Sequence, residues 1–459
     1  MDYAAQERRG LMGLTGIQIF KLLPKTNCKE CGVPTCLAFA MNLAAGKAEL
    51  SACPYVSEEA KALLSEAAAP PIRPLTMGSG ENVVKIGGET VLFRHEKTFV
   101  NKPGLAILIT DTMPEDEVNT RLKRFKELRY ERVGLILRPE MIAVKNESGD
   151  PIKFEVLIKK VKAETDAAFI LMSEKVDALT AGVKACADRV PLIYAATNGN
   201  SDALAHLAKE NNCPLSVKAN NLETLSALSD KMTAAGLKDL ALDSGSRTLR
   251  KAFEDQIYIR RAALLQKNRS LGFPTITFPC EMTKDPIKET LIAAMFVAKY
   301  AGIIVLSDFH GETLFPLLVE RLNIYTDPQR PMTMQQGIYP IGNPSEDSPV
   351  LITTNFSLTY FIVSGEIESS RIPSWLLVMD TEGLSVLTAW AAGKFVGDAI
   401  GAFIKKSGVT DKVKHRRVII PGAIAAVSGD LEEELGSEWV VKIGPREAAH
   451  IPAFLKMGA

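Results

Sequence analysis

The sequence carries no excess charge of either sign: 54 basic and 54 acidic residues cancel over 459 positions. A global field that recruits nucleic acid or an anionic membrane is therefore excluded as the main determinant of function. A secretory pattern is missing, because MDYAAQERRGLMGLTG has no basic region followed by an apolar core. An uninterrupted membrane-length run is missing too. The nearest, Gly383 to Ile404, is broken by Lys394 and Asp398, and charge is costly in lipid, so this stretch is expected to be a buried helix. The tail shows neither Gly-x-Gly-x-x-Gly nor a Walker sequence. Together these absences predict a cytoplasmic protein without nucleic-acid or membrane partners, in a compartment where thiols stay reduced.

Cysteine is scarce after residue 55 but concentrated before it. Cys28, Cys31, Cys36 and Cys53 are four of the chain's seven, spaced Cys-x2-Cys-x4-Cys-x16-Cys. Two thiolates three residues apart bite one corner of a metal site, and the other two close a four-ligand cage. Zinc ribbons more often pair two Cys-x2-Cys knuckles, whereas here the fourth ligand is a lone cysteine followed by Pro54, a context common in ferredoxin-like clusters. A [4Fe-4S] cluster is the favoured reading, with structural zinc and plain core cysteines as alternatives. Cys186, Cys213 and Cys280 stand in separate units further on and read as buried structural thiols.

The length predicts several domains, and the pattern suggests where they fall. Residues 1–60 form the cysteine module. Residues 61–100, with Pro70, Pro71 and Pro74 among Ala and Gly, read as a linker that lets the module move. From 101 to 330, short apolar runs alternate with amphipathic stretches. The runs lie at 105–110, 133–138, 167–173, 191–197, 214–219, 239–244, 273–278 and 302–308. Eight β/α units in that span predict a (β/α)8 TIM barrel, with an open doubly wound sheet as the alternative. From 331 to 459 a second α/β pattern places strands at 349–355, 374–380, 416–422 and 438–444. A small Rossmann-like parallel sheet with helices on both faces follows, its longest helix after Asp380. Ligands of such sheets bind outside the carboxyl ends of the strands. The loops there, 353–359, 380–385, 421–429 and 444–449, are rich in Gly, Ser and Thr.

LPKTNCKECGVPTCLAFA with Cys53-Pro54 resembles the front of the large (gamma) subunit of the corrinoid iron–sulfur protein, part of the CO dehydrogenase/acetyl-CoA synthase (acetyl-CoA decarbonylase/synthase) system. PVLITTNFSLTYF, VMDTEGLSV and VKHRRVIIPGAIA resemble the corrinoid-binding domain of the same family, so the likeness spans the chain. It implies a methyltransferase-type carrier subunit. A bound cobamide would accept a methyl group on Co(I) from a methyl-tetrahydropterin, through a methyltransferase, and pass it to acetyl-CoA synthase. The [4Fe-4S] cluster on Cys28, Cys31, Cys36 and Cys53, fed by a low-potential electron donor, would rescue accidental Co(II). A small barrel subunit would complete a heterodimer over the corrinoid. As corrinoid contacts it implies Thr353, Thr359, Thr381, Glu382, Gly383, Leu384 and Ser385, with Gly422 and Ala423 as weaker candidates; the competing reading is that TEGLS is only a turn and helix cap. No histidine fits the Asp-x-His-x-x-Gly motif of many corrinoid proteins, since DFHGET (308–313) places its glycine directly after His310. The Gly393, Gly397 and Gly401 stripe reads as close packing.

Two other functions fit parts of the chain. Asp111, Arg138, Lys218, Asp243 and Asp308 fall at expected strand ends of the barrel, where barrel enzymes keep catalytic groups. Alternatively the chain is a ferredoxin-like electron carrier whose tail holds a nucleotide or flavin.

Overall fold

The structure, a computed structural model, describes residues 15–458 apart from 45–47, 49, 58, 62–63, 65–68 and 328–330. It divides into two compact units, one made of the chain up to Arg129 together with 138–325, the other of 130–137 with the remainder from Thr326.

The first unit begins with the cysteine module. Thr15 opens a helix over Gly16–Leu22 through a capping box, its hydroxyl accepting from the Gln18 amide while the Gln18 side chain accepts from the Thr15 amide. A second helix spans Cys36–Ala44. Ile19, Leu23, Phe39, Ala40, Val56 and Leu64 bury against each other and against Cys36 and Cys53. Cys36 and Cys53 thus sit in an apolar core.

A closed barrel of eight parallel strands follows. Its strands, numbered with the rest of the chain, are β3 (Gly104–Thr110), β6 (Met141–Lys145), β7 (Ala168–Met172), β8 (Leu192–Ala196), β9 (Leu215–Lys218), β10 (Leu240–Asp243), β11 (Thr275–Thr277) and β12 (Ala301–Leu306). β7 and β8 are buried at every position, which is why they read as continuous apolar runs rather than alternating ones. Helices between them start where the chain supplies caps. Asp150 and Asp285 accept from two amides each, with proline at the first helical position, and Asn221 accepts from the Thr224 amide.

Two expectations are corrected here. The run 133–138 is not a barrel strand. Val133 and Gly134 both take positive φ and form the two-residue turn of a hairpin pairing β4 (Tyr130–Arg132) with β5 (Leu135–Leu137). Leu135 and Ile136 are exposed, and the second barrel strand is β6. Nor is 61–100 a plain linker. Leu75–Met77 (β1) and Val84–Ile86 (β2) pair antiparallel, and Leu75, Met77, Val84 and Ile86 belong to the barrel core. The Gly78 amide donates to the Val190 carbonyl and that of Arg73 to Gly272. Both acceptors precede barrel strands, so this hairpin closes the amino-terminal end.

The second unit is a five-stranded sheet in the order β13-β15-β14-β16-β17, with β14 at Val350–Thr354, β15 at Ser374–Met379, β16 at Arg417–Ile420 and β17 at Val440–Ile443. These four run parallel. The strand missed in the sequence, β13 (Gly337–Ile341), pairs antiparallel on the β15 edge, so the sheet is mixed. Val350 and Ile352 face one helical layer while Leu351 faces the other. The expected single helix from Gly383 is two, Val386–Ala391 and Gly397–Ser407. Gly393 takes φ +70° in the break, and the longest helix of this unit is Ser357–Ser370. Gly397 and Gly401 pack on Asp430, Leu431 and Glu434 of another helix, not on the sheet. No helix among the described residues is long and apolar enough to cross a membrane.

The strongest polar constraint in the barrel is Arg321, whose side chain is 2% exposed. It forks onto both Glu140 oxygens at 2.7 and 2.8 Å and also donates to the Pro103 and Arg138 carbonyls. Burial alone would raise the Glu140 carboxyl, but Arg321, with Lys102, outweighs it and holds it below its usual range. Arg321→Met strands a buried carboxylate and is expected to cost about 3–5 kcal/mol in denaturant unfolding. Because the folded carboxyl is depressed, its contribution is present above the unfolded value, about pH 4.3, and is lost as pH falls through the folded one. Glu140→Gln should therefore flatten the acid limb of the stability profile; an unchanged acid limb would show that the pair is not responsible for it.

Candidate cofactor sites

Four thiols and one cavity stand out. In the module, left-handed backbone at Lys25, Asn27, Lys29 and Gly32 winds the chain tightly around Cys28 and Cys31. Cys36 opens its helix, and the Asn27 side-chain oxygen accepts from the Cys36 amide at 2.8 Å while the Asn27 amide points at the Cys36 sulfur, 3.4 Å away. The Tyr55 hydroxyl donates to Glu30 at 2.8 Å, tying the loop of Cys53 to that of Cys28 and Cys31. Cys36 and Cys53 are buried, Cys31 is partly so and Cys28 is exposed. Among the described residues no three His, Cys, Asp or Glu side chains are gathered to hold a metal ion. The other cysteines are buried, and burial pushes their thiols up, to about 12 for Cys186, about 11 for Cys213 and about 12 for Cys280. They stay protonated and inert.

The cavity lies in the second unit. It measures about 310 Å³ and is walled by the carboxyl ends of β14 and β16, the start of the 357–370 helix, the 385–387 turn and the loop after β17. Strand order reverses between β14 and β16, because β15 lies on one side of β14 and β16 with β17 on the other. The connections therefore leave in opposite directions and open a crevice there. Thr353 and Thr359 line it, as do Ser385 and Ala423. The Thr353 hydroxyl is buried and has no hydrogen-bond partner among the described residues. Gly422 lies behind the wall: a Cβ there would sit 2.4 Å from the Gly444 carbonyl oxygen, so the loop after β17 rests on bare backbone.

The rest of the TEGLS stretch stands elsewhere. Thr381, Glu382, Gly383 and Leu384 do not line the cavity. Thr381 spends its hydroxyl on Asn355 and the Leu384 carbonyl. Glu382 takes φ +58° and pairs with Lys394. Gly383, at φ +77°, packs on Thr333 and Pro331. The organising residue, Asn355, was not among the sequence candidates. Its side-chain oxygen accepts from the amides of Thr381 and Gly383, both at 3.0 Å, and its amide donates to Asp380 at 2.8 Å. A lone asparagine directly after a strand was the available signal.

Four of the five barrel residues raised as catalytic candidates, Asp111, Asp243, Asp308 and Arg138, are bound by other groups of the chain. Asp111 holds the amides of Glu147 and Ser148. Asp243 binds Arg247 and the Tyr194 hydroxyl, and Asp308 pairs with Arg124. Arg138 lies before β6, bound to Asp166 and to Asn82 of the hairpin turn, and so does not stand at the carboxyl end. Lys218 lies over the Tyr194 ring at the barrel mouth.

These parts, a cysteine module, a closed barrel and an α/β unit with a switch-point crevice, match known proteins in that order. A family model described as the CO dehydrogenase/acetyl-CoA synthase delta subunit matches residues 74–455, and one described as a putative Fe-S cluster matches 23–55. The corrinoid/iron-sulfur protein large subunit of Moorella thermoacetica is 47% identical over 445 residues, covering 97% of this chain and 99% of its own. The acetyl-CoA decarbonylase/synthase complex subunit gamma of Methanopyrus kandleri is 38% identical, covering 96% and 97%. A dihydropteroate synthase from Vibrio fischeri superposes with a TM-score of 0.39 at 15% identity, over 55% of this chain and all of its own. The chain belongs to the family of corrinoid/iron-sulfur protein large subunits and acetyl-CoA decarbonylase/synthase gamma subunits.

Removing the Asn355 side chain leaves the Thr381 and Gly383 amides without their acceptor. Asn355→Ala is expected to destabilise the chain by about 1–3 kcal/mol, read by denaturant unfolding; a loss well under that range would mean water replaces the amide.

Proposed function

We propose that this chain is the methyl-carrying subunit of its complex, with a [4Fe-4S] cluster on Cys28, Cys31, Cys36 and Cys53 and a cobamide seated at the switch-point crevice. It would accept a methyl group from a methyl-tetrahydropterin, through a methyltransferase, and deliver it to acetyl-CoA synthase, working as a heterodimer with a small subunit. When bound, the cobalt supplies the nucleophile and the cluster relays the low-potential electron that restores it. The reading rests above all on the unsatisfied Thr353 hydroxyl at the crevice, in a chain whose Moorella relative is named for a corrinoid and an iron–sulfur centre.

The residues present fit both groups. Four cysteine thiolates are the ligand set that a [4Fe-4S] cluster takes. The module core buries two of them and limits water around them. In the crevice, mainly aliphatic walls suit a macrocycle, and Thr353 and Thr359 offer hydroxyls for its amide arms. Of the nine residues expected as contacts, Thr353, Thr359, Ser385 and Ala423 remain proposed as direct. Thr381, Glu382, Gly383, Leu384 and Gly422 are proposed to shape the adjoining loops.

Metal analysis of anaerobically purified protein, co-expressed with a small subunit and supplied with cobamide, tests this. About four irons and about one cobalt per chain are expected. Cys36→Ser or Cys53→Ser should lower iron while leaving cobalt in place. Stoichiometric zinc with neither iron nor cobalt would overturn the reading.

Thr353→Val separates the two roles of that hydroxyl. Without cofactor it relieves a buried unpaired group and should stabilise the chain by about 1 kcal/mol. It should also weaken cobamide retention during gel filtration. Unaltered retention would remove Thr353 from the contacts.

A further inference from the structure

Among the described residues, Arg446 is the only charged one lining the crevice. Its side chain is exposed, and among the described residues its guanidinium has no hydrogen-bond or ion-pair partner. Its backbone, by contrast, is held firmly. The Gly444 amide donates to the Ile420 carbonyl at 2.9 Å, and the Gly422 amide to that of Pro445 at 3.1 Å. A Cβ on Gly422 would lie 2.9 Å from the Arg446 nitrogen, so the 444–446 loop is seated directly on the end of β16. A permanently charged fork is thus carried at the rim of an otherwise neutral, mostly aliphatic cavity. Such a group recognises a phosphate by paired, charge-assisted hydrogen bonds.

A complete cobamide has one anionic group outside the corrin, the phosphodiester of its nucleotide loop; the side arms of the ring are neutral amides. We propose that Arg446 binds that phosphodiester and so selects a complete cobamide over a corrinoid lacking the nucleotide loop. This rests on the cobamide assignment above and adds to it the recognition of one part of the molecule. Burial of the aliphatic walls would hold the ring of either compound, while the guanidinium would act on the loop alone.

The test is a spectral titration of the corrinoid-free heterodimer with a complete cobamide and, separately, with cobinamide, which has the same ring but no nucleotide loop. Arg446→Ala should weaken cobamide binding about tenfold or more, the worth of one hydrogen bond to a charged group. Cobinamide binding should change less than about twofold on the same scale. Arg446→Lys, which keeps charge but not the fork, should recover part of the loss. Added salt should narrow the difference between the two corrinoids for the unsubstituted protein. Equal losses for both compounds would make Arg446 a wall residue and overturn the proposal, as would no loss for either. Failure of the unsubstituted protein to bind either corrinoid would overturn the cobamide assignment itself and the proposal with it. Because Arg446 is exposed, its substitution should leave the unfolding midpoint unchanged, which separates a binding loss from a folding defect.

Discussion

The reversal of strand order at β14 is the constraint on which the second unit depends. A right-handed crossover from β14 can add a parallel neighbour on one side only while its helix covers one face. β15 takes one side of β14 and β16 the other, so the connecting helices go to opposite faces. The carboxyl ends of β14 and β16 are then left without a crossing connection above them. Everything else at the site follows from that gap. Thr353 is buried yet reaches no partner among the described residues.

Asn355 and Gly422 fix two loops at the strand ends. Asparagine offers one acceptor and one donor on a short stem, and here both are used, binding the turn after β15 to the end of β14. Gly422 has no side chain, and its backbone supports the loop after β17. One neighbouring turn is thus held by a side-chain amide, and the loop after β17 by the absence of a side chain. Both are rigid devices at strand ends, where a ligand that must be held in one orientation profits most from supporting groups that do not move.

The first unit follows a different logic. Its barrel strands are buried on both faces, and its amino-terminal end is filled by the β1–β2 hairpin. The ionic groups inside are matched pairwise, as with Arg321 and Glu140 or Arg247 and Asp243. The strand-end carboxylates Asp111, Asp243 and Asp308 are likewise engaged within the chain.

The cysteine spacing, the eight-unit rhythm of the barrel and the four parallel strands of the tail were legible in the sequence, because each rests on local order: ligand spacing, hydrophobic period and cap residues. The likeness to corrinoid iron–sulfur subunits was legible for the same reason, since short strings at strand ends carry it. What misled was composition without context. Pro and Gly around 70–88 suggested a linker, yet residues 75–86 form a hairpin whose burial depends on the barrel beneath it. Val133-Gly134 resembled the start of a strand, but positive φ at both residues makes it a turn. Tertiary structure alone decided that Asn355 organises the TEGLS turn, that Thr353 lacks a partner and that Arg446 reaches the crevice. The residues that build it come from segments far apart in sequence. Their meeting is set by the order in which strands pair, and no local pattern of residues encodes that order.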